Sequence, residues 1–370
     1  MSIYNVELKK IVDDSYQIEI GFDLIDKLCL DIKKGLVKNF SKIALITDSN
    51  VEKLYAEKIN KKLNDEGFVC NIFSFEAGEK SKTRKTKEEI EDRMLNCDYR
   101  RDSLIIAVGG GVVTDIAGFI AGTFARGIPF INYATTLLAA ADASVGGKTA
   151  VDTPRATNLI GLFNQPKKVY IDIASWKTLP KEHIYNGLSE TIKQACLADK
   201  NFFEYLDDNM DKILDCQKEV CQHMAEENCK IKDSVVMKDE KEAGLREVLN
   251  LGHTVGRAVE TVSNYELLHG EAVSIGLSFE VKLSNKLGFM TDEECLKVIN
   301  LLKKAHLPVK IPEYIDKESL VKKLYTDKKV RNGKLRFVIQ RGIGEIVEFE
   351  KGNYATVIDE DTVRNIIIKM

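Results

Sequence analysis

Short apolar runs alternate along the first half of the chain with segments whose apolar residues recur every three to four positions. The runs predict strands at 42–48, 68–78, 103–111 and from 129, and the spaced segments predict helices at 51–67, 83–98 and 113–127. This alternation predicts a mainly parallel sheet covered by helices, with ligands gathering at the carboxyl ends of its strands. Those ends are Asp48, the glycines at 109–111, and Thr135 with Thr136.

Beyond about residue 178 the pattern becomes mostly helical. Helical spacing covers 186–199, 201–215 and 217–236, and strand-like residues return only at 335–349. The sequence therefore predicts an α/β plus α protein, with an α/β domain over residues 1–180 and a mainly helical domain over 181–370. We expect the boundary between 178 and 185.

Composition excludes several classes of protein. The chain has 370 residues and a formal net charge of −3, and it lacks the basic excess of a nucleic-acid-binding protein. Its eight cysteines are scattered and form no C-x-x-C pair, which is typical of reduced thiols in a cytosolic protein. The N-terminus has no signal-peptide pattern, and no apolar run approaches the roughly 20 residues of a membrane span. We expect a cytoplasmic protein without membrane or nucleic-acid partners.

Two glycine-rich segments resemble phosphate-binding motifs but fail them. A P-loop ending in Gly147-Lys148-Thr149 would need glycine at 142, which is Asp142. A dinucleotide fingerprint starting at Gly109 would need glycine at 114, which is Thr114. The turn at 109–111 can still offer backbone N–H groups at a helix start, where phosphate binds well. A tight turn between strand and helix explains the same glycines, and both interpretations stay open.

A stripe of polar residues is expected if residues 242–260 form one helix. The members are spaced by three or four positions: Glu242, Arg246, Asn250, His253, Arg257 and Glu260. Such a stripe often marks a solvated, ion-paired face. However, Gly252 and Gly256 would each cost about 1 kcal/mol relative to alanine inside a helix, which indicates that something packs very closely there. We therefore favour a stripe that lines a cleft.

Three side chains on separate segments form a possible metal site. Glu190, His253 and His269 supply one carboxylate and two imidazoles, the ligand set of an open catalytic zinc site. Glu190 lies three residues before Lys193, so a surface ion pair is the alternative for that carboxylate. The residues alone leave both interpretations open.

Eight segments in order resemble the 3-dehydroquinate synthases of the sugar-phosphate cyclase superfamily. The resemblance covers about residues 40–345 and rests on GGGVVTDIAGFIAGTFARG, TTLLAAADASVGGKTAVD, NLIGLFNQPKKVYID, TLP, GLSETIK, LREVLNLGHT, LHGEAV and DKKVRNGKLRFV. It implies a Rossmann-like N-terminal domain that binds NAD, a helical C-terminal domain that binds Zn²⁺ or Co²⁺, and an active site between them. The implied reaction converts 3-deoxy-D-arabino-heptulosonate 7-phosphate, a sugar phosphate, to 3-dehydroquinate and phosphate.

The resemblance also implies roles for individual residues. Glu190, His253 and His269 match the metal ligands, and the glycines beside the histidines would let metal and substrate approach closely. The positions that match NAD contacts are Asp48, Glu79, Lys82, Gly110, Gly111, Asp115, Thr135, Thr136, Asp142, Lys148, Thr178 and Leu179. The positions that match substrate and catalytic residues are Lys148, Asn158, Lys193, Lys232, Arg246, Asn250, Arg257, one of Lys328 or Lys329, and Arg126. Arg126 matches an arginine that reaches phosphate across a dimer interface, so a homodimer is implied.

Three departures separate this chain from the family pattern. Arg257 stands where histidine is common, Thr157 where lysine is common, and Thr114 where glycine is common. Arginine stays protonated, so Arg257 is suited to bind phosphate or carboxylate and not to carry a proton. The alternatives to the synthase are a sister cyclase, such as an amino-dehydroquinate synthase, an NAD-dependent polyol dehydrogenase, and a non-catalytic protein with a degenerate site.

Overall fold

The computed structural model describes residues 4–5, 7–8, 12–154, 156–324 and 335–370. Lys328 and Lys329, which the resemblance assigned to substrate binding, lie outside the described residues. Within the described residues, no helix is both long enough and apolar enough to span a bilayer.

A six-stranded parallel sheet forms the centre of the first half. In chain order its strands are β1 (Gln17–Gly21), β2 (Lys42–Asp48), β3 (Val69–Phe75), β4 (Ser103–Gly109), β5 (Phe130–Ala134) and β8 (Lys168–Asp172). Their spatial order is β1-β8-β5-β4-β2-β3, with every pairing parallel. All residues of β4 and β5 are buried, as expected for inner strands that carry helices on both faces. The predicted strands at 42–48, 68–78, 103–111 and from 129 are confirmed.

The predicted helices of the first half are also confirmed. They are α2 (Ser49–Val51), continued by a π-turn and α3 (Glu57–Asp65), then α4 (Arg84–Asn96) and α5 (Gly111–Thr123), with α1 (Ile25–Lys33) near the N-terminus. Asp48 caps α2 by accepting the N–H groups of Asn50 at 2.9 Å and Val51 at 3.0 Å. α2 therefore begins directly after β2, and α5 begins two residues after β4, which brings both helix starts to one edge of the sheet.

The second half is helical, which confirms the α/β plus α fold class. Its helices are α6 (Lys181–Ala198), α7 (Lys200–Leu214), α8 (Lys218–Val236), α9 (His253–Val262), α10 (His269–Lys286), α11 (Asp292–Lys304), α12 (Lys317–Leu324) and α13 (Glu360–Lys369). Two small antiparallel pairs complete the fold: β6 (Lys148–Thr153) with β7 (Ala156–Phe163), and β9 (Arg336–Val338) with β10 (Ala355–Val357).

One apolar core runs from the sheet into these helices. It includes Ile171 of β8, Trp176 of the 3₁₀ turn at Ile173–Thr178, Leu188 of α6 and Met224 of α8, all buried. This shared core holds the edge of the sheet against α6 and α8. The domain boundary at 180/181 stays a prediction; β8 ends at Asp172 and α6 begins at Lys181.

The prediction of one helix over 242–260 is wrong. Residues Leu245–Asn250 form a 3₁₀ segment, and α9 begins only at His253. Between them Gly252 adopts a left-handed backbone, with φ of +77°, which breaks any continuous helix. The six residues of the predicted stripe nevertheless line a single cleft, because the 3₁₀ segment and the first turns of α9 both face it.

Candidate active site

A cleft of about 1580 Å³ lies between the carboxyl edge of the sheet and the helices of the second half. Its walls include the ends of β2, β4 and β5 on one side and the first turns of α9 and α10 on the other. Its volume exceeds the roughly 300–1,000 Å³ typical of a pocket for one small ligand. The cleft therefore has room for a dinucleotide and a second molecule together.

A candidate metal centre, Glu190 with His253 and His269, lies at the wall of this cleft: both histidines line it, and Glu190 is completely buried next to them. Glu190 comes from the middle of α6, and the two histidines are the first residues of α9 and α10. Glu190 Oε1 lies 3.6 Å from His253 Nε2 and 3.5 Å from His269 Nε2. The three ligand atoms, one from each residue, all lie within 4.8 Å of one another. Three segments that are distant in sequence thus converge on one point.

Each ligand is oriented by a second contact. His253 Nδ1 lies 3.1 Å from the carbonyl oxygen of Leu251, and His269 Nδ1 lies 3.4 Å from Glu260 Oε1. Lys193 donates to the second carboxylate oxygen of Glu190. These contacts turn both Nε2 atoms and Oε1 of Glu190 towards the same point, the arrangement that metal-binding imidazoles usually show.

The donor atoms fit a divalent cation. Glu190 Oε1 is buried and makes no hydrogen bond within the described residues, and its nearest polar neighbours there are the Nε2 atoms of His253 at 3.6 Å and His269 at 3.5 Å. A cation at the centre would satisfy it. One carboxylate and two imidazoles suit Zn²⁺ or Co²⁺ and leave coordination positions open. His269 is the only ligand with appreciable exposure, 31% of its side chain, so the centre opens to the cleft on that side.

The charges around the centre shift the pKa values of its groups. Burial lowers the pKa of His269, but Glu260 and Glu190 raise it more, and the result is about 10. Burial raises the pKa of Glu190, yet Lys193 and His269 outweigh it and hold the pKa below its usual value. Without a cation, the two neighbouring carboxylates therefore favour the protonated form of His269. A bound metal would replace that proton with a larger positive charge.

The glycines beside the histidines serve helix packing, which corrects the expectation that they make room for metal and substrate. A Cβ at Gly252, beside His253, would lie 3.1 Å from the carbonyl oxygen of Val273. A Cβ at Gly270, beside His269, would overlap the carbonyl oxygen of Asn186 in α6. Across the first of these contacts, a Cβ at Gly276 of α10 would overlap the carbonyl of Gly252. Something does pack very closely against Gly252, as the sequence indicated, but it is α10.

The opposite end of the cleft is built mainly from backbone. Gly110 precedes α5, which has neither a side-chain cap nor an acidic residue in its first turn. A Cβ at Gly110 would lie 3.0 Å from Thr136 Cγ2, so glycine keeps this approach open. Free N–H groups at a helix start bind phosphate. Thr135 Oγ1 is buried without a hydrogen bond within the described residues. This end therefore fits the pyrophosphate of a dinucleotide.

Lys82 lies in a polar pocket between the two ends. Its ammonium contacts Asp115 Oδ2 at 2.6 Å, Asn158 Oδ1 at 2.6 Å and Glu79 Oε1 at 3.5 Å. Burial lowers the pKa of Lys82, but Asp115 and Glu79 more than compensate, so the pKa lies above its usual value. Thr178 and Leu179, at the end of the turn that follows β8, also face the cleft.

Four cations of the cleft lining are Lys148, Lys232, Arg246 and Arg257, which together we call the cationic cluster. The first three lie close enough to interact electrostatically, and Arg257 lies near Glu260. Lys148 pairs with Glu242, and Lys232 pairs with Asp142 at 2.7 Å. Burial raises the pKa of Asp142, but Lys232 and Lys193 hold it well below its usual value. Although 47% of the Lys148 side chain is exposed, desolvation lowers its pKa to about 8 against the opposing effect of Glu242.

The two arginines of the cluster keep unused donors. Arg246 is 1% exposed and donates to the carbonyl oxygens of Glu240 at 2.6 Å and Gly146 at 2.9 Å. Arg246 Nε and Arg257 Nη1 are buried and make no hydrogen bond within the described residues. Buried guanidinium donors without partners suit carboxylate or phosphate groups of a ligand. Asn250 lies beside the cluster and donates to Glu242 Oε1 at 2.7 Å.

The cleft collects nearly all the residues that the sequence singled out. Of the residues that the resemblance assigns to the cofactor, those that line it are Asp48, Glu79, Lys82, Gly110, Gly111, Asp115, Thr135, Thr136, Asp142, Lys148, Thr178 and Leu179. Of the residues that the resemblance assigns to the substrate, those that line it are Lys148, Asn158, Lys193, Lys232, Arg246, Asn250 and Arg257. Arg126 is exposed and lies outside this lining, with a left-handed backbone at φ of +70°.

Some cleft residues were missed from the sequence. His183 lines the cleft near the end of the turn that follows β8, and Asn186 accepts the backbone N–H of Gly270 next to His269. Glu260 was placed on the polar stripe, but its contact with His269 was not foreseen. The spacing of Glu260 was its only signal, and nothing in the sequence marked Asn186.

Family models and relatives match nearly the whole chain. Residues 72–186 match the family model described as 3-dehydroquinate synthase N-terminal, and residues 187–330 match 3-dehydroquinate synthase C-terminal. A 3-dehydroquinate synthase of Acetivibrio thermocellus is 42% identical, over 99% of this chain and 98% of its own length. One from Thermoanaerobacter pseudethanolicus is 40% identical, over 98% of this chain and 99% of its own.

Among solved structures, a 2-epi-5-epi-valiolone synthase superposes closely. This protein, from Streptomyces hygroscopicus subsp. jinggangensis, has NAD⁺ and Zn²⁺ bound. The TM-score is 0.87 at 26% identity, with 99% of each chain covered. The likeness extends over both the sheet and the helical half.

Proposed function

Because this chain belongs to the 3-dehydroquinate synthase family, we propose that it converts 3-deoxy-D-arabino-heptulosonate 7-phosphate to 3-dehydroquinate and inorganic phosphate. It is then a phosphate-eliminating carbon–oxygen lyase. The observation that carries the proposal is the convergence of Glu190, His253 and His269 on one point, with both histidines lining the same cleft as the glycine-rich helix start. A metal centre beside a dinucleotide site is what a redox-assisted elimination requires.

Two groups complete the site. The metal centre holds one divalent cation, Zn²⁺ or Co²⁺, and the start of α5 with Asp48 and Thr135 holds NAD. When bound, NAD would supply reversible hydride transfer, and the cation would polarise the hydroxyl group on the carbon that gives up the hydride. Since the reaction ends with the hydride returned, the enzyme consumes no cofactor.

The cationic cluster binds the anionic groups of the substrate. Heptulosonate phosphate carries a carboxylate and a phosphate, and the buried donors of Arg246 and Arg257 suit such groups. Lys148, Lys232 and Asn250 would add donors once their contacts to Glu242 and Asp142 rearrange. Lys193 Nζ donates a hydrogen bond to Glu190 Oε2, and this contact keeps the Glu190 carboxylate oriented.

Proton transfer falls to groups other than Arg257. A guanidinium does not release its proton near neutral pH, so Arg257 contributes charge and hydrogen bonds only. Lys148, with a pKa of about 8, is able to exchange a proton near neutral pH. This division of roles is specific to a chain that carries arginine at position 257.

We further propose a cytoplasmic homodimer. Arg126 is exposed at the end of the turn after α5 and does not line the cleft of its own chain. An arginine in that position suits the phosphate bound in a neighbouring copy. One of Lys328 or Lys329 completes the set of substrate-binding residues.

The decisive experiment supplies the purified protein with heptulosonate 7-phosphate, NAD and Zn²⁺ or Co²⁺. We expect stoichiometric phosphate release, a product with the mass of 3-dehydroquinate, and no net rise in NADH absorbance. A net rise in NADH would instead identify a polyol dehydrogenase. Turnover only with an amino analogue or another sugar phosphate would identify a sister cyclase, and inertness after metal addition would identify a non-catalytic protein.

A further inference from the structure

A carboxylate outside the cleft lies behind the metal centre. Glu280 belongs to α10, is completely buried, and does not line the cleft. Among its contacts, Oε2 accepts the backbone N–H of Gly252, the residue immediately before α9. A buried carboxylate is costly unless its surroundings compensate for its charge, and the positive end of a helix is such a surrounding. Glu280 therefore lies where the start of α9 stabilises it and where it can hold that start in place.

The residue that Glu280 contacts is a glycine, which has no Cβ to restrict its backbone, so its conformation has to be fixed by its surroundings. Gly252 has φ of +77°, a region that L-residues rarely adopt, and a Cβ there would contact the Val273 carbonyl oxygen at 3.1 Å. The peptide at Gly252 also separates a metal ligand from the atom that orients it. His253 follows Gly252, and the Leu251 carbonyl that contacts His253 Nδ1 at 3.1 Å precedes it. A shift of this peptide would move the ring and its acceptor together.

We infer that Glu280 is a positioning residue for the metal centre: through the Gly252 N–H it sets where His253 Nε2 points. The inference rests on the proposed function only in taking His253 as a metal ligand. According to this inference, a residue of α10 that does not line the cleft affects the affinity for the metal. Groups that orient metal ligands typically change affinity by about 10–100-fold when removed.

Cobalt binding to the full-length protein without substrate tests the inference. Titration with Co²⁺, followed by its visible absorption and by competition with a chelator, gives the dissociation constant. We expect Glu280→Met, which removes the acceptor at similar length, to weaken Co²⁺ binding about 10–100-fold. Glu280→Gln keeps an oxygen acceptor and should recover most of the affinity. Ser278→Ala is the matched control: Ser278 is equally buried on α10, and it donates to the Val309 carbonyl at 2.9 Å.

The variants separate positioning from general destabilisation. Wild-type affinity in Glu280→Met, or an equal loss in Ser278→Ala, would overturn the inference. If Glu280→Met does not fold, Glu280→Asp decides, because it keeps the charge but withdraws the carboxylate from Gly252; wild-type affinity there would equally refute it. If the wild-type protein binds no Co²⁺ at all, the proposed function fails, whereas strong wild-type binding with no effect of Glu280 removes only this inference.

Discussion

The metal centre and the cationic cluster face one cleft but are built on opposite principles. Each of the three metal ligands is held by one dedicated partner: the Leu251 carbonyl, Glu260 or Lys193. In the cluster, the lysines are engaged with carboxylates, and the arginines keep buried donors in reserve. The centre is thus arranged in advance, whereas the proposed anionic substrate would have to displace carboxylates from the lysines of the cluster. Removing one side chain of the metal centre should therefore abolish nearly all activity, whereas removing one side chain of the cationic cluster should lower activity only in part.

The largest expected effect tests the centre. We expect His269→Ala to lower kcat by at least about 10³-fold, because a cation that stabilises charge by several kcal/mol is lost or misplaced. The variant should fold normally, since the side chain lies at the cleft surface with 31% exposure. Phosphate release with added Zn²⁺, metal content and circular dichroism provide the measurements. His223→Ala is the matched control, because the exposed His223 packs on Tyr205 away from the cleft. Near-normal kcat in His269→Ala would refute the metal assignment.

A smaller effect is expected from the arginine of the cluster that replaces a common histidine. Arg257→Gln should raise KM about 10–100-fold, since hydrogen bonds between charged groups contribute about 1.5–3 kcal/mol. The KM of Arg257→Lys should lie between those of the wild type and Arg257→Gln, because lysine keeps the positive charge but lacks the planar guanidinium. Unchanged KM in Arg257→Gln would exclude Arg257 from anion binding.

The same position offers a pH test of the comparison. Arg257→His introduces a group with an ordinary pKa of about 6.5, which is charged below that pH and neutral above it. We therefore expect kcat/KM of this variant to fall as pH rises through about 6.5, while the wild type shows no such step from position 257. Identical profiles between pH 5.5 and 7.5 would contradict the role of charge at this position.

The smallest effect concerns the alkaline limb of the wild-type profile. Lys148 has a pKa of about 8, so its positive charge is present below that pH and lost above it. Since kcat/KM reports the free enzyme, it should decline above about pH 8 as Lys148 stops attracting the anionic substrate. Lys148→Arg should displace this decline to higher pH with a modest loss of kcat/KM near neutrality. An unshifted limb would show that another group titrates there.

The strands, helices and fold class followed from the sequence because apolar runs and helical spacing are local signals. Glu190, His253 and His269 could be proposed because few residue types bind zinc and the chain has only five histidines. The sequence did not predict the first strand, β1. It joins the sheet through its pairing with β8, a contact between residues about 150 positions apart. Such pairings leave no periodic trace in the sequence.

The error at 242–260 has a similar cause. Helical spacing describes which residues share a face, but it does not reveal a single residue with positive φ. Gly252 was counted as a costly helix residue, whereas its left-handed backbone ends one segment and starts another. The partners that orient the metal ligands, Glu260 above all, depend on how α9 and α10 cross, and that crossing is set by tertiary packing.

The crossing of α9 and α10 constrains how this enzyme is able to move. At the contact of Gly252 and Gly256 with Gly276, the two backbones lie so close that neither helix has space to slide along or roll over its neighbour. Both histidines begin these helices, so we expect the two helix starts to move together if the cleft closes around a substrate. A closure that separated them would first have to break the contact between Gly252 and Gly276.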